Sequence, residues 1–189
     1  MPPFKRAFDV LICLALAIPA LLITLAVLPI IWIDAKASPL FRQQRVGRGG
    51  RLFTMLKLRT MRADTPDRAS HEVGMAVITR SGRLLRKTKI DELPQLWNVL
   101  TGDMSLVGPR PCLPSQKKLI EERDRLGVLA LRPGITGIAQ LAGLDMSEPV
   151  ALARADAAYL SRWSLRQDLY LLVQTALGKG GGDAALPNR

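Results

Sequence analysis

The sequence predicts an α/β protein that is mainly helical, with a membrane helix at the N-terminus and a small core containing a few short strands. Three observations predict this class. A long uncharged apolar segment comes first, residues 40–58 alternate apolar and basic side chains around glycines, and several helical segments follow. A chain of 189 residues can bury one core but not two full domains. We therefore expect a membrane helix over 1–35, a folded domain over 36–177 and a disordered tail over 178–189.

The membrane segment is the stretch of 24 residues between Asp9 and Asp34, which carries no charged side chain. A helix of this length is about 36 Å long, enough for a bilayer core of about 30 Å. A cleaved signal peptide is the alternative, but its apolar stretch runs to roughly 7–15 residues. Pro19 and Pro29 kink or break a helix, and both flanks are basic. From the residues alone, a re-entrant segment and a single span stay equally open.

The remaining elements follow from turn residues and from helical or alternating spacing. Leu96-Trp97 and the stripe Leu169, Leu172, Val173 and Ala176 have helical spacing, which fits either core packing or amphipathic helices lying in the membrane interface. In chain order, the predicted elements are strands at 40–46 and 51–58, a polar loop at 62–82, two helical pieces within 83–100, a Pro/Gly loop at 108–111, a helix at 113–127, a second Pro/Gly loop at 132–137, and helices at 149–159 and 165–177.

The net charge of +11 is concentrated in residues 36–90, which contain fourteen basic and three acidic side chains. Such a block requires an anionic partner: nucleic acid, anionic lipid or a phosphate-rich substrate. One histidine, His71, excludes multi-histidine metal sites and the usual serine–histidine hydrolases. Two cysteines exclude a disulfide framework. Any chemistry is therefore left to carboxylates, lysines and arginines.

Asp91 and Glu92 are adjacent carboxylates at the start of a predicted helical piece. Asp91 as a helix N-cap is one interpretation, with Glu92 favouring the helix dipole. The other is a nucleophilic carboxylate with a partner that binds Mg²⁺ or handles a proton. Arg110 and Arg132 each lie in a stiff Pro/Gly loop, and arginine holds phosphate oxygens with a bidentate fork. The two loops make an anion site more credible than the dyad does alone.

Four long motifs resemble the bacterial sugar transferases, the monotopic phosphoglycosyl transferases. The resemblance covers residues 4–177, nearly the whole chain, and the length is similar to that of the minimal catalytic form. The motifs are FKRAFD, LFRQQRVGRGGRLFTMLKLRTM, KIDELPQLWNVLTGDMSLVGPRP and LRPGITGIAQ.

The resemblance implies transfer of a phospho-sugar from a UDP-sugar to polyprenol phosphate, usually undecaprenyl phosphate, at the cytoplasmic face of the bacterial inner membrane. UMP leaves, and a polyprenyl-diphosphate sugar forms as the first membrane step of glycan assembly. By motif, Asp91 would be the nucleophile that forms a covalent intermediate, and Glu92 would assist it with Mg²⁺ and proton handling; both would hold the metal. The residues that would line the site and hold or orient phosphates are Lys57, Arg86, Arg110, Arg132 and Asp156. The sugar stays open among an N-acetylated amino sugar, glucose and galactose.

The resemblance also favours a re-entrant membrane helix over a spanning one, with Pro19 at the break. A serine commonly precedes this proline in the family, whereas Ile18 stands here. The competing hypothesis is a membrane-anchored basic protein that binds nucleic acid or anionic lipid without catalysis. It leaves the joint occurrence of Asp-Glu and two rigid arginine loops unexplained, so we expect no nucleic-acid partner.

Overall fold

The computed structural model describes residues 2–65 and 77–180. His71, most of the predicted polar loop and the tail beyond residue 180 lie outside the described residues. Over the described part, the predicted mainly helical architecture with a few short strands is confirmed. Besides short 3₁₀ turns, the elements are α1 (Pro3–Ala35), β1 (Leu40–Val46), β2 (Leu52–Leu58), α2 (Arg80–Thr88), α3 (Gln95–Thr101), β3 (Ser105–Val107), α4 (Lys117–Arg125), β4 (Gly134–Thr136), α5 (Ile138–Leu141), α6 (Pro149–Arg162) and α7 (Leu165–Ala176).

Helix α1 is the predicted membrane helix. It has 33 residues and continues through Pro19 and Pro29, so the helix is not interrupted at the predicted break. Its C-cap is Lys36, whose φ of 50° places it in the left-handed region. Within the described residues, α1 is the one helix that is long and apolar enough to cross a membrane, and only 11% of its most apolar window is buried. Its apolar surface therefore remains available for lipid.

Both ends of α1 pack on the same folded body. Near its start, Cys13 belongs to the main hydrophobic cluster, together with Val99 and Met104. Near its end, Ile31 and Ala35 belong to a second cluster that includes residues of β2 and α2. Most side chains between residues 14 and 26 are exposed. The apolar middle of α1 therefore lies free while its two ends are held.

The predicted hairpin is confirmed. Strands β1 and β2 are antiparallel, with Leu40 opposite Leu58 and Val46 opposite Leu52. A short 3₁₀ turn at Arg48–Gly50 joins them. Arg48 and Arg51 therefore lie at the tip of the hairpin, and Lys57 lies near its base.

The second Pro/Gly loop was predicted without a strand, and this is wrong for Gly134–Thr136, which forms β4 in parallel register with β3. The strand forms because glycines allow the two backbones to approach closely. A Cβ at Gly134 would lie 2.1 Å from the amide nitrogen of Gly108, and one at Gly108 would lie 2.6 Å from the carbonyl oxygen of Arg132. The loops that carry Arg110 and Arg132 therefore pack backbone against backbone.

Two predicted boundaries move for local reasons. Helix α2 begins at Arg80 and not at residue 83, because the Thr79 side chain caps it by accepting a hydrogen bond from the Gly82 amide at 3.0 Å. Helix α4 begins at Lys117 and not at residue 113, because Pro114 disfavours the helical conformation of the residue before it.

Candidate active site

The predicted carboxylate pair lies in a 3₁₀ turn, Ile90–Glu92, between α2 and α3. Both side chains are buried, with 5% of Asp91 and 9% of Glu92 exposed. The helix-cap interpretation is wrong, because the N-cap of α3 is Pro94. The residue before the turn, Lys89, has a φ of 57°, which is strained for a residue with a side chain. This left-handed C-cap ends α2 and leads the chain directly into the carboxylate turn.

Two cations converge on one oxygen of Glu92. The Nζ of Lys57 lies 3.1 Å from Glu92 Oε1, and an Nη of Arg110 lies 3.2 Å from the same atom. Lys57 comes from the base of the hairpin and Arg110 from the first Pro/Gly loop, so three distant segments meet here. The structure thus brings together three residues that sequence reasoning assigned to one site.

Arg86 and Lys89 border the same turn. The Nε of Arg86 donates a hydrogen bond to the Thr60 hydroxyl at 2.9 Å, which fixes this guanidinium between α2 and the end of the hairpin. Burial lowers the pKa of Lys89; the charge of Glu92 opposes this shift, and the charge of Arg110 adds to it. Lys89 is therefore within electrostatic reach of the site. Sequence reasoning gave it no role.

Asp156 reaches the site through another residue. Its Oδ2 accepts hydrogen bonds from Arg123 Nε at 3.0 Å and from Arg123 Nη2 at 2.7 Å. The Nη1 of Arg123 donates to the carbonyl oxygen of Arg110 at 2.9 Å. Burial raises the pKa of Asp156, while the Arg123 guanidinium opposes that shift. Sequence reasoning missed Arg123, because its burial on the inner face of α4 depends on the packing of α4 against α6.

The side chain of Arg132 points elsewhere. Its Nε donates to the carbonyl oxygen of Gly102 at 2.7 Å, at the C-terminal end of α3. Arg6 of α1 donates to the carbonyls of Val99 and Leu100 at the same helix end. Cations stabilise a helix C-terminus, where carbonyls lack partners. The structure therefore separates Arg132 from the cations that bind Glu92.

A buried polar network holds the start of α1, and sequence reasoning missed it. Lys5 Nζ lies 2.6 Å from Asp9 Oδ1 and 3.0 Å from Asp168 Oδ2. The Ser105 hydroxyl donates to Asp9, and the Tyr159 hydroxyl donates to Asp168, both at 2.7 Å. The network joins α1, β3, α6 and α7. The sequence feature that could have revealed this network is the pair Lys5 and Asp9, two opposite charges four residues apart beside the apolar segment.

Helices α3 and α7 are amphipathic. Leu96 and Leu172 pack against the main core, whereas Trp97, Leu169 and Val173 are exposed. Core packing therefore explains only part of the predicted apolar stripe. Exposed apolar side chains along one helix face fit helices that lie in a membrane interface.

The carboxylates present fit a magnesium ion only in part. Over residues 2–65 and 77–180, no group of three or more His, Cys, Asp or Glu side chains is placed so that it could hold a metal ion. Mg²⁺ is commonly bound by one or two carboxylates together with substrate phosphates and waters. Asp91 and Glu92 supply two carboxylates, which agrees with such a shared site and not with an all-protein cage.

A long apolar helix held on a small core, with Glu92 ion-paired to Lys57 and Arg110, fits a membrane-associated protein with a cation-rich site. A family model described as bacterial sugar transferase matches residues 2–179. The chain belongs to this family, as its motifs predicted.

The relatives include proteins of known and unknown activity. A UDP-glucose:undecaprenyl-phosphate glucose-1-phosphate transferase of Caulobacter vibrioides is 45% identical, covering 90% of this chain and 67% of the relative. An uncharacterised sugar transferase of Bacillus subtilis is 36% identical, covering 90% of this chain and 84% of the relative. An undecaprenyl-phosphate galactose phosphotransferase of Salmonella typhimurium is 34% identical, but this chain spans 39% of its length.

Proposed function

We propose that this protein transfers a sugar phosphate from a UDP-sugar to undecaprenyl phosphate, releasing UMP and starting the assembly of a glycan. The activities of the Caulobacter and Salmonella relatives support this reaction, with glucose or galactose as the sugar. The observation that carries it is the buried Asp91–Glu92 turn, in which Glu92 is held by Lys57 and Arg110.

The proposed reaction has two steps. A carboxylate oxygen of Asp91 attacks the sugar-bearing phosphorus of the UDP-sugar, and the bond between that phosphorus and the bridging oxygen breaks, so that UMP leaves. A phosphate oxygen of the polyprenol phosphate then attacks the same phosphorus and expels the Asp91 carboxylate. The product is the polyprenyl-diphosphate sugar, and the enzyme is regenerated.

The cations around the turn have two proposed duties. Lys57 and Arg110 orient Glu92 and, with Arg86, offset negative charge that develops on the diphosphate oxygens. Asp156 positions this set through Arg123 and the Arg110 backbone. Substrate binding by Arg132 stays a prediction, since its Nε is bound to the Gly102 carbonyl, away from the cations at Glu92. Asp91 and Glu92 would hold Mg²⁺ together with the diphosphate, and the ion would supply further charge neutralisation there.

The proposed membrane partner is the cytoplasmic leaflet. The two ends of a helix that crosses the bilayer lie on opposite sides of about 30 Å of hydrocarbon. Both ends of α1 pack on one folded body, and the middle of α1 is exposed. This arrangement supports a helix that enters and leaves by the same face, with Pro19 and Pro29 allowing it to bend. The basic flanks favour the cytoplasmic side.

Intact mass spectrometry and UMP release test the proposal. The wild-type protein in detergent with Mg²⁺ and a panel of UDP-sugars should gain the mass of one phospho-sugar before acceptor is added. Asp91→Asn should lose both the adduct and turnover, whereas Asp124→Asn, an exposed aspartate on α4, should keep both. Turnover of Asp91→Asn near the wild-type rate would refute the nucleophile. Absence of UMP release with every donor would refute the transferase and favour a binding protein.

A further inference from the structure

A second cluster of cations lies at the opposite end of the hairpin from the carboxylate turn. A cavity of about 540 Å³ is lined by Arg48, Arg51 and Arg132, together with Asp103. Leu52, at the start of β2, also lines it, whereas Lys57, five residues further along, bonds Glu92. At about 3.3 Å per residue, the two places are about 17 Å apart along the strand. The cavity is therefore separate from the carboxylate turn.

The guanidinium groups of this cavity are not neutralised by the residues that the structure describes. The side chains of Arg48 and Arg51 are exposed, and neither guanidinium makes a hydrogen bond or ion pair to a described residue. Arg132 donates a hydrogen bond from its Nε to the Gly102 carbonyl oxygen, and its two terminal nitrogens are available for a ligand. Burial lowers the pKa of Arg132, and the charges of Arg48 and Arg6 lower it further. Asp103 supplies one negative charge against three positive ones.

A neighbouring cavity extends the cluster to the membrane helix. Arg48 and Arg132 line this cavity as well, and the other lining residues include Lys5, Arg6 and Asp9 from the first turns of α1. The first strongly exposed leucine of the apolar segment is Leu11. Arg6 precedes it by five residues, or about 7.5 Å of helix, which is close to the thickness of one headgroup layer. The cation cluster therefore adjoins the start of the apolar membrane segment.

We propose that Arg48, Arg51 and Arg132 form a phosphate-binding site, distinct from the carboxylate turn, that takes the phosphate of an anionic lipid headgroup. Three guanidinium groups can surround one phosphate with charge-assisted hydrogen bonds. A phosphate of a soluble diphosphate has the same chemistry, and the level of the site at the start of α1 favours the lipid. The site would fix the hairpin tip against the membrane, so that the carboxylate turn at its base keeps a set height above the bilayer.

Calorimetry on the full chain in detergent tests the site without any UDP-sugar, so the result does not depend on the proposed function. The probes are monomeric short-chain phosphatidylglycerol, short-chain phosphatidylcholine and inorganic pyrophosphate. The cavity variant is Arg48→Gln with Arg51→Gln, which removes side chains that bond nothing else described. Its matched control, Arg42→Gln with Arg154→Gln, removes two exposed arginines that line neither cavity.

Wild-type protein should bind phosphatidylglycerol in preference to phosphatidylcholine. The cavity variant should bind phosphatidylglycerol about thirtyfold more weakly, at about five- to sixfold for each of the two arginines. The control should match the wild type. Equal binding by all three proteins would overturn the site. A different result would overturn the lipid as the source of the phosphate: the wild type binds pyrophosphate more tightly than phosphatidylglycerol, and the cavity variant loses this pyrophosphate binding.

Discussion

Replacing Asp156 with asparagine should damage this protein in two measurable ways. The carboxylate and the Arg123 side chain are each about 3% exposed, and two hydrogen bonds of 2.7 and 3.0 Å join them. Removing one charge of a buried pair leaves the other uncompensated, which destabilises a protein by about 3–5 kcal/mol. We expect a loss of stability in this range for Asp156→Asn, measured by thermal or denaturant unfolding in detergent.

The effect on activity follows from the third contact of Arg123. Its Nη1 holds the Arg110 carbonyl, and the Arg110 side chain holds Glu92. If Arg123 moves, Arg110 moves with it, and a misplacement of about 1 Å in a catalytic group lowers the rate by about a hundredfold. Asp156→Asn should therefore lower kcat for UMP release by about this factor, with a smaller change in KM for the UDP-sugar.

A double-mutant cycle separates this positioning role from direct substrate binding. Arg123→Gln should reproduce the kcat loss, and the double variant should lose much less than the product of the two single losses, since both act on one contact. Arg123→Lys should fail to rescue, because an ammonium cannot reproduce the fork of two donors. Multiplicative losses, or a normal kcat in Arg123→Gln, would show that Asp156 acts on the substrate itself.

Three further predictions concern the rest of the fold. Lys5→Met should leave Asp168 buried without its cation and destabilise the protein by about 3–5 kcal/mol, seen as a lower unfolding temperature in detergent; an unchanged temperature would mean that the network does not hold α1. Gly134→Ala should prevent stable folding because its Cβ would meet the Gly108 backbone, so recovery of a wild-type melting curve would contradict the close contact. Burial raises the pKa of the Cys112 thiol, so less thiolate is present at pH 8 than for an ordinary cysteine, and alkylation in a variant with the other cysteine replaced by serine should be much slower than in unfolded protein.

The parts of the fold that depend on local pattern could be predicted from the sequence. The uncharged segment predicted α1, and the alternation of apolar and basic residues around glycines predicted the hairpin. Helical spacing predicted α6 and α7 to within a few residues. Strands β3 and β4 have three residues each and pair across a long separation, so no local period marks them. They depend on the close backbone contact between Gly108 and Gly134, which appears only when both loops are in place.

The candidate site, like the fold, was predicted only where local motifs carry the information. Asp91, Glu92, Lys57 and Arg110 were assigned together through long motifs, and the structure brings the last three into contact. A motif does not record which atom a side chain reaches. Asp156 is therefore one residue removed from the site, and the guanidinium of Arg132 turns toward the end of α3, although both were assigned to substrate binding. Arg123 could not be singled out because its buried position depends on the packing of α4 against α6.

The basic block of the sequence is divided in space by the hairpin. Arg45, within β1, is buried and donates to the Pro111 carbonyl at 3.0 Å, so this cation helps to join the hairpin to the first Pro/Gly loop. Lys57 at the base holds Glu92, and Arg48 and Arg51 at the tip line the cavity beside α1. A two-stranded hairpin anchored along its length keeps the distance between tip and base fixed. A phosphate held at the tip would therefore set how far the carboxylate turn stands from the membrane, and that distance decides whether a lipid phosphate can reach Asp91. Removing the charges of Arg48 and Arg51 at the tip should weaken transfer to the lipid acceptor and leave adduct formation with the UDP-sugar intact. Removing the charge of Lys57 should impair both adduct formation and transfer to the lipid acceptor.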